Sequence, residues 1–264
     1  MRKLPYNAIQ WDRAKYWEEA WNPWLGCHPC SPACEHCYAA TQTARYNGSF
    51  KPHQTTKQRP PRFGVVFCGN MTDLFGEWLS PAESMGFFSR LFHFTRDGSP
   101  RPNEATYLFL TKRVSRMADA LRNYTDIPNA LFGFTAEDQT HYDARLKDME
   151  EVAERRHWWI SAEPLLGAID LRLNALSCPK PDWVVVGCES GSGRRPCPLD
   201  WVESIVDQCI YAGVRVFVKQ LDRNGVCERD ITRFPPSLRI RQTPWSDRII
   251  PIEFPKGSEV KNEV

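Results

Sequence analysis

No apolar run in this 264-residue chain approaches a membrane span, which takes about 20 consecutive residues. The opening stretch, MRKLPYNAIQWDRAKYW, also lacks the apolar core of a signal peptide, so a cytoplasmic location is expected. Charge of one sign is scarce too. The 34 basic residues nearly cancel the 32 acidic ones, and a formal net charge of +2 singles out no partner. What the chain does carry is ten cysteines and ten tryptophans. Without a secretory signal, that many cysteines point to a reducing compartment, where thiols serve metals or packing. The composition, 42% hydrophobic and 25% charged, is that of a folded globular chain able to bury a sizeable core.

Four of the cysteines crowd into eleven residues: Cys27, Cys30, Cys34 and Cys37. Pro29 and Pro32 lie among them, which favours a compact loop over helix or strand. Thiolates gathered this closely suit a soft metal centre. Three spacings are open. Cys30, Cys34 and Cys37 read C-x3-C-x2-C; Cys27, Cys34 and Cys37 read C-x6-C-x2-C; all four together suit a closed zinc site. Four unmetallated thiols are the bland alternative. Cys178, Cys188 and Cys197 are candidates for a second cluster, whereas Cys209 sits on an apolar helix face and reads as core.

A rhythm then runs through the middle of the chain. Short apolar runs occur at Val65–Cys68, Thr106–Leu110, Ala130–Phe134, His157–Ser161, Trp183–Val186 and Val214–Val218. Strands covered on both faces require such continuous apolarity. Between them, stripes at helical spacing include Val114, Met117, Ala118 and Leu121, and Tyr142, Leu146, Met149 and Val152 behind an Asp138 N-cap. A third helix opens near Pro198 and stops at Gly213, a fourth covers Pro81–Phe94, and a short one covers Ala39–Tyr46. This alternation predicts right-handed βαβ units and a parallel sheet. A strand over Ala20–Leu25 makes seven. Two architectures fit, a partial (β/α) barrel and an open doubly wound sheet, and both put function at the carboxyl ends of strands.

That rule gathers scattered polar residues into one constellation. The cysteine loop follows the first strand, and Asn70, Thr72 and Asp73 follow the second. Lys112 and Arg113, then Glu137, Glu163, Glu189 with Ser190, and Lys219 with Gln220 follow the later strands in turn. Residues 1–19 are expected to form an arm, 20–221 the βα domain, and 222–264 an extension that packs on it and ends in about ten mobile residues. The stretch from Asn47 to Arg62 reads as a loop with Lys51, Lys57, Arg59 and Arg62 close together.

The cysteine loop carries a resemblance. Its signature N-P-W-x-G-C-x3-S-P-x-C-x2-C-Y-A is similar to that of a phage and bacterial three-cysteine-motif family resembling radical S-adenosylmethionine (radical SAM) enzymes. The likeness continues through FCGNMTDLF (67–75), LTKR (110–113), SAEPLLG (161–167), DWVVVGCESG (182–191) and AGVRVFVKQ (212–220), about residues 20 to 220 in all. It implies a partial TIM-like barrel and a 4Fe–4S cluster on Cys27, Cys34 and Cys37, with one iron left for S-adenosylmethionine. It also implies that Asn70, Thr72 and Asp73 lie where the methionine end is held. Glu163 and Glu189 would hold ribose or substrate, and Lys219 a carboxylate or phosphate. Electrons would come from an external donor such as flavodoxin or ferredoxin. No catalytic residue is assigned.

Two substrate classes are open, a nucleic acid base or nucleotide and a small metabolite or peptide. Basic groups that hold phosphate beside aromatics that stack on a base are what a nucleic acid substrate requires. Lys51 to Arg62, Arg194 and Arg195 supply the first, and Trp11, Trp17, Trp21 and Trp24 the second. The competing readings are a zinc-stapled nucleic-acid-binding module and a degenerate radical-SAM fold that acts as an interaction protein.

Overall fold

The apolar runs become the strands of one sheet in a computed structural model that describes residues 15–47, 49–94, 100–122, 127–191 and 193–245. In chain order the first elements are β1 (Glu19–Trp21), β2 (Trp24–Leu25), α1 (Tyr38–Asn47), β3 (His53–Gln54) and β4 (Val65–Cys68). Next come α2 (Pro81–Ser89), β5 (Phe92–Phe94), β6 (Pro100–Pro102), β7 (Thr106–Thr111) and α3 (Val114–Leu121). The rest are β8 (Ala130–Thr135), α4 (Gln139–Ala153), β9 (Trp158–Ala162), β10 (Trp183–Gly187), α5 (Leu199–Ala212), β11 (Arg215–Arg223) and β12 (Val226–Glu228).

The eight-stranded sheet is ordered β1-β4-β7-β8-β9-β10-β11-β12. Every pair from β1 to β11 is parallel, and only β12 returns antiparallel. Each parallel strand is added beside the one before it, so the order never reverses. A doubly wound sheet needs such a reversal, and that architecture is therefore set aside. Helices α2 to α5 pack on one face of the sheet, as right-handed crossovers between strands added in one direction require.

The two faces hold different cores. Towards the helices lie Phe109, Phe132, Phe134, Trp158, Val184 and Val216, in contact with α2 to α5. Alternate residues of the same strands, Val65, Phe67, Leu108, Leu131, Trp159, Trp183, Val185 and Phe217, fill the other face. Tyr16 packs into that second layer, edge-on to Trp183 with ring centroids 4.9 Å apart. Gly133 makes room there: a Cβ on it would stand 2.5 Å from the Trp159 indole.

Helix ends follow the sequence signals. Ser80 and Glu83 form a capping box on α2, Asp138 accepts the His141 N–H at the start of α4, and Gly213 ends α5 in the left-handed region at φ 70°. Among the described residues no helix is long and apolar enough to cross a membrane.

Four expectations change. The strand over Ala20–Leu25 is broken at Asn22–Pro23, and β2 turns away to pair with β3. The helix expected over Pro81–Phe94 stops at Ser89, because Phe92–Phe94 pairs as a ribbon with Pro100–Pro102. The boundary at 221/222 falls inside β11, which runs on to Arg223 and turns through Asn224–Gly225 into β12. Lys219 and Gln220 therefore lie within a strand. Lys15–Trp17, assigned to the arm, belong to the inner layer and cavity wall. Residues 1–14, with Trp11, and the tail from 246 lie outside the described residues.

A thiol-lined candidate metal centre beside a larger cavity

The cysteine loop is fixed at its entrance by backbone. Gly26 has φ 86°, and a Cβ there would collide with the Lys51 carbonyl, so glycine is required. Its N–H donates to Met71 O (3.2 Å), its carbonyl accepts the Thr72 hydroxyl (2.6 Å), and Cys27 N–H donates to Phe50 O (3.2 Å). Thr72 is thus a clasp between the loop and the end of β4. Asn70 serves similarly: its Oδ1 accepts Asn22 Nδ2 (2.7 Å), and its carbonyl accepts the Tyr38 hydroxyl.

Cys27, Cys30, Cys34 and Cys37 all line one cavity of about 140 Å³, together with Asn70, Thr72, Asp73, Lys112 and Arg113. The Cys27 thiol donates to His28 O (3.4 Å), and burial pushes it up to about 12. A hydrogen bond from Cys30 draws the Cys34 thiol far below its ordinary value, with Lys112 adding to this, and the same bond raises Cys30. Among the described residues, no three His, Cys, Asp or Glu side chains stand close enough to hold a metal ion as placed. Asp73 is occupied: its carboxylate accepts Thr111 Oγ1 (2.8 Å), Phe75 N (3.0 Å) and Arg113 Nη1 (3.1 Å).

A larger cavity of about 440 Å³ adjoins the first, sharing Cys37, Tyr38, Phe67, Asn70, Leu110, Lys112 and Thr135 with it. It opens where the rows on this face of successive strands end in Leu110, Thr135, Ser161 and Lys219, all but the first of them polar. Tyr16, Trp17 and Phe67 form its apolar wall. Beside Tyr16, whose ring centroid is 5.7 Å from Lys219 Nζ, Glu163 accepts two bonds from Lys219 Nζ (2.6 and 2.8 Å) and one from Gln220 Nε2 (2.7 Å). Gln220 is fully buried, and its Oε1 has no hydrogen-bond partner among the described residues.

Glu189 joins β10 to the cysteine loop. Its carboxylate accepts His36 Nδ1 (2.9 Å), Arg195 N (2.9 Å) and Arg195 Nη2 (2.5 Å), while Arg195 also reaches Glu35 (3.1 Å). Burial opposes the charge on Glu189, but Arg195 and His36 outweigh it and hold the carboxyl below its usual range. Glu137, with no exposed surface, is held the same way by Arg145.

All nine residues assigned from the sequence to metal or cofactor binding therefore line the two cavities. The nucleic-acid elements fare differently. Trp21 is buried core at 1% exposure, and its Nε1 donates to Lys57 O, so it offers no stacking face. Lys51, Lys57, Arg59 and Arg62 line neither cavity, since the loop runs from Gly26 back to the amino end of β4. Cys178 precedes β10 and Cys188 follows it, so the strand separates them, and the trio with Cys197 is not assembled. The wall residues Tyr16, Tyr38, Ser161 and Arg229 were missed. For Ser161 the signal was present: it sits at the inward parity of an apolar strand end.

The fold and site thus define an α/β protein with a singly wound parallel sheet and a cysteine loop at its carboxyl end. The model of a family described as "Protein of unknown function (DUF5131)" matches residues 11–233, and the chain belongs to that family. No curated protein and no solved structure matches the chain.

Proposed function

We propose that the protein is an enzyme of the radical SAM type, with a 4Fe–4S cluster on Cys27, Cys34 and Cys37 and a curled sheet that forms a partial barrel. One observation carries this reading: the three thiols line a small cavity that adjoins a larger one, at the carboxyl ends of a singly wound parallel sheet. The donor set fits the group. Three thiolates suit an iron–sulfur cluster, and Lys112 and Arg113 beside them offset the negative charge. The cluster would supply one-electron cleavage of S-adenosylmethionine and, through it, hydrogen abstraction from substrate, with electrons from a carrier such as flavodoxin or ferredoxin.

The chain's own residues bind and orient. Tyr16, Trp17 and Phe67 offer an apolar wall that excludes water from one side of a flat ligand. Gln220 Oε1 offers an acceptor to a ligand N–H or O–H, because a buried polar atom is costly to leave unpaired. Asn70, Thr72 and Asp73 act mainly by fixing the loop, through the bonds they already make. Lys112 and Arg229 form no ion pair among the described residues and are free for anionic groups. A nucleotide or nucleic acid base is the substrate these walls favour, and the cations that serve it are those two, not the 51–62 loop.

Reduced, anaerobically reconstituted protein incubated with S-adenosylmethionine is expected to release 5′-deoxyadenosine. An intact cluster that neither binds nor cleaves the cofactor would point to an interaction protein on this fold. A second reading is favoured by one fact: Cys30 lines the same cavity, so four thiols are available for a closed zinc site.

A further inference from the structure

Away from the cysteine loop, a second pair of thiols meets at the edge of the sheet. Cys188 directly follows β10, and Cys227 lies in β12 opposite Asp222. The Cys188 thiol donates to Cys227 Sγ at 4.0 Å, and neither residue is in a disulfide. Cys188 is fully buried and lines the larger cavity, whereas Cys227 is only half-buried. The two therefore differ in access. Cys227 is the partly exposed member of the pair, and Cys188 borders the cavity.

We propose that Cys188 and Cys227 form a dithiol oxidation site that closes to a disulfide with hydrogen peroxide as oxidant. Cys227 sulfur attacks the peroxide oxygen, the O–O bond breaks, and the sulfur becomes a sulfenic acid as water leaves. Cys188 sulfur then attacks Cys227 sulfur, forming the S–S bond and releasing the second water. Two electrons pass from the thiols to the peroxide, and the two thiol protons end in the two waters. The hydrogen bond from Cys188 draws the Cys227 thiol down, against its own burial, with help from Arg229 and Arg194, which favours the attacking thiolate. Shortening 4.0 Å to a bond of about 2.05 Å takes side-chain rotation.

The position gives the bond a consequence. The Cys188 carbonyl accepts Gln220 Nε2 (2.6 Å), and Gln220 also bonds Glu163, so oxidation takes place within the polar wall of the cavity. Arg229, two residues beyond Cys227, lines that cavity too. The proposal does not depend on what the cysteine loop binds.

Peptide mapping of the full-length chain tests it. The protein is treated with one equivalent of hydrogen peroxide, its remaining thiols are alkylated under denaturing conditions, and the peptides are fragmented. The expected product is a cross-link between Cys188 and Cys227 that dithiothreitol reverses, with Cys178, Cys197 and Cys209 alkylated. In Cys188→Ser, Cys227 should accumulate as a sulfenic acid that dimedone traps. Wild-type protein in which Cys227 is alkylated, or oxidised to sulfinate while Cys188 remains a free thiol, overturns the proposal. That result needs no variant to fold.

Discussion

Glu137 and Arg145 face each other with almost no solvent around them, and their fate under acid follows from that burial. Burial alone would raise the carboxyl; the hydrogen bonds and charge of Arg145 outweigh it, and the folded-state value lies below the unfolded one. The pair's contribution is therefore complete above the ordinary carboxylate range, near 4.3, and is lost as pH falls through the lowered folded value. Glu137→Gln strands a buried guanidinium and is expected to cost about 3 kcal/mol at pH 7 by chemical denaturation. The gap between wild type and variant should narrow below about pH 4; an unchanged gap would mean that the charge on Glu137 contributes nothing. At the cysteines the forecast is a contrast. Cys27→Ser, Cys34→Ser and Cys37→Ser should each lose the cluster absorbance after reconstitution, while Cys30→Ser keeps it.

Among the elements, β8 shows most directly how side-chain volume builds the inner layer. Gly133→Ala places a methyl group against the Trp159 indole and should cost about 2 kcal/mol, read as a lowered Tm. An unaltered Tm would mean that Trp159 moves aside without loss. The central parallel strands were legible in the sequence, because both faces of the sheet are covered and strands such as β4, β8 and β10 read as apolar runs. What escaped notice had weaker or overlooked cues. β12 was announced by Asn224–Gly225, whose φ values of 52° and 77° are those of a tight hairpin turn. Pro23 should have broken the first strand, because it has no N–H for a ladder bond. The Phe92–Phe94 ribbon had no such mark, since apolar residues after a helix also read as more helix.

For the molecule as a whole, the strand ends bring residues from positions 15 to 229 around two adjoining cavities. The constellation was legible because a parallel sheet sends every strand end to one side. The tryptophans were not, because a ring suited to stacking on a base is equally suited to a core. Placing the free cations at Lys112 and Arg229 separates two patches experimentally. Arg229→Glu should weaken nucleotide or single-strand binding and lower the salt slope by about one, whereas reversing Lys57, Arg59 and Arg62 should leave binding through the cavity unchanged. The reverse pattern would move the nucleic-acid contact to the 51–62 loop.

Iron, acid-labile sulfide and zinc measured on the same anaerobically reconstituted protein test the proposed cluster most directly. About four irons and about four sulfides per chain are predicted, with zinc absent. One tightly bound zinc with no sulfide would contradict the account and make the cysteine loop a structural staple.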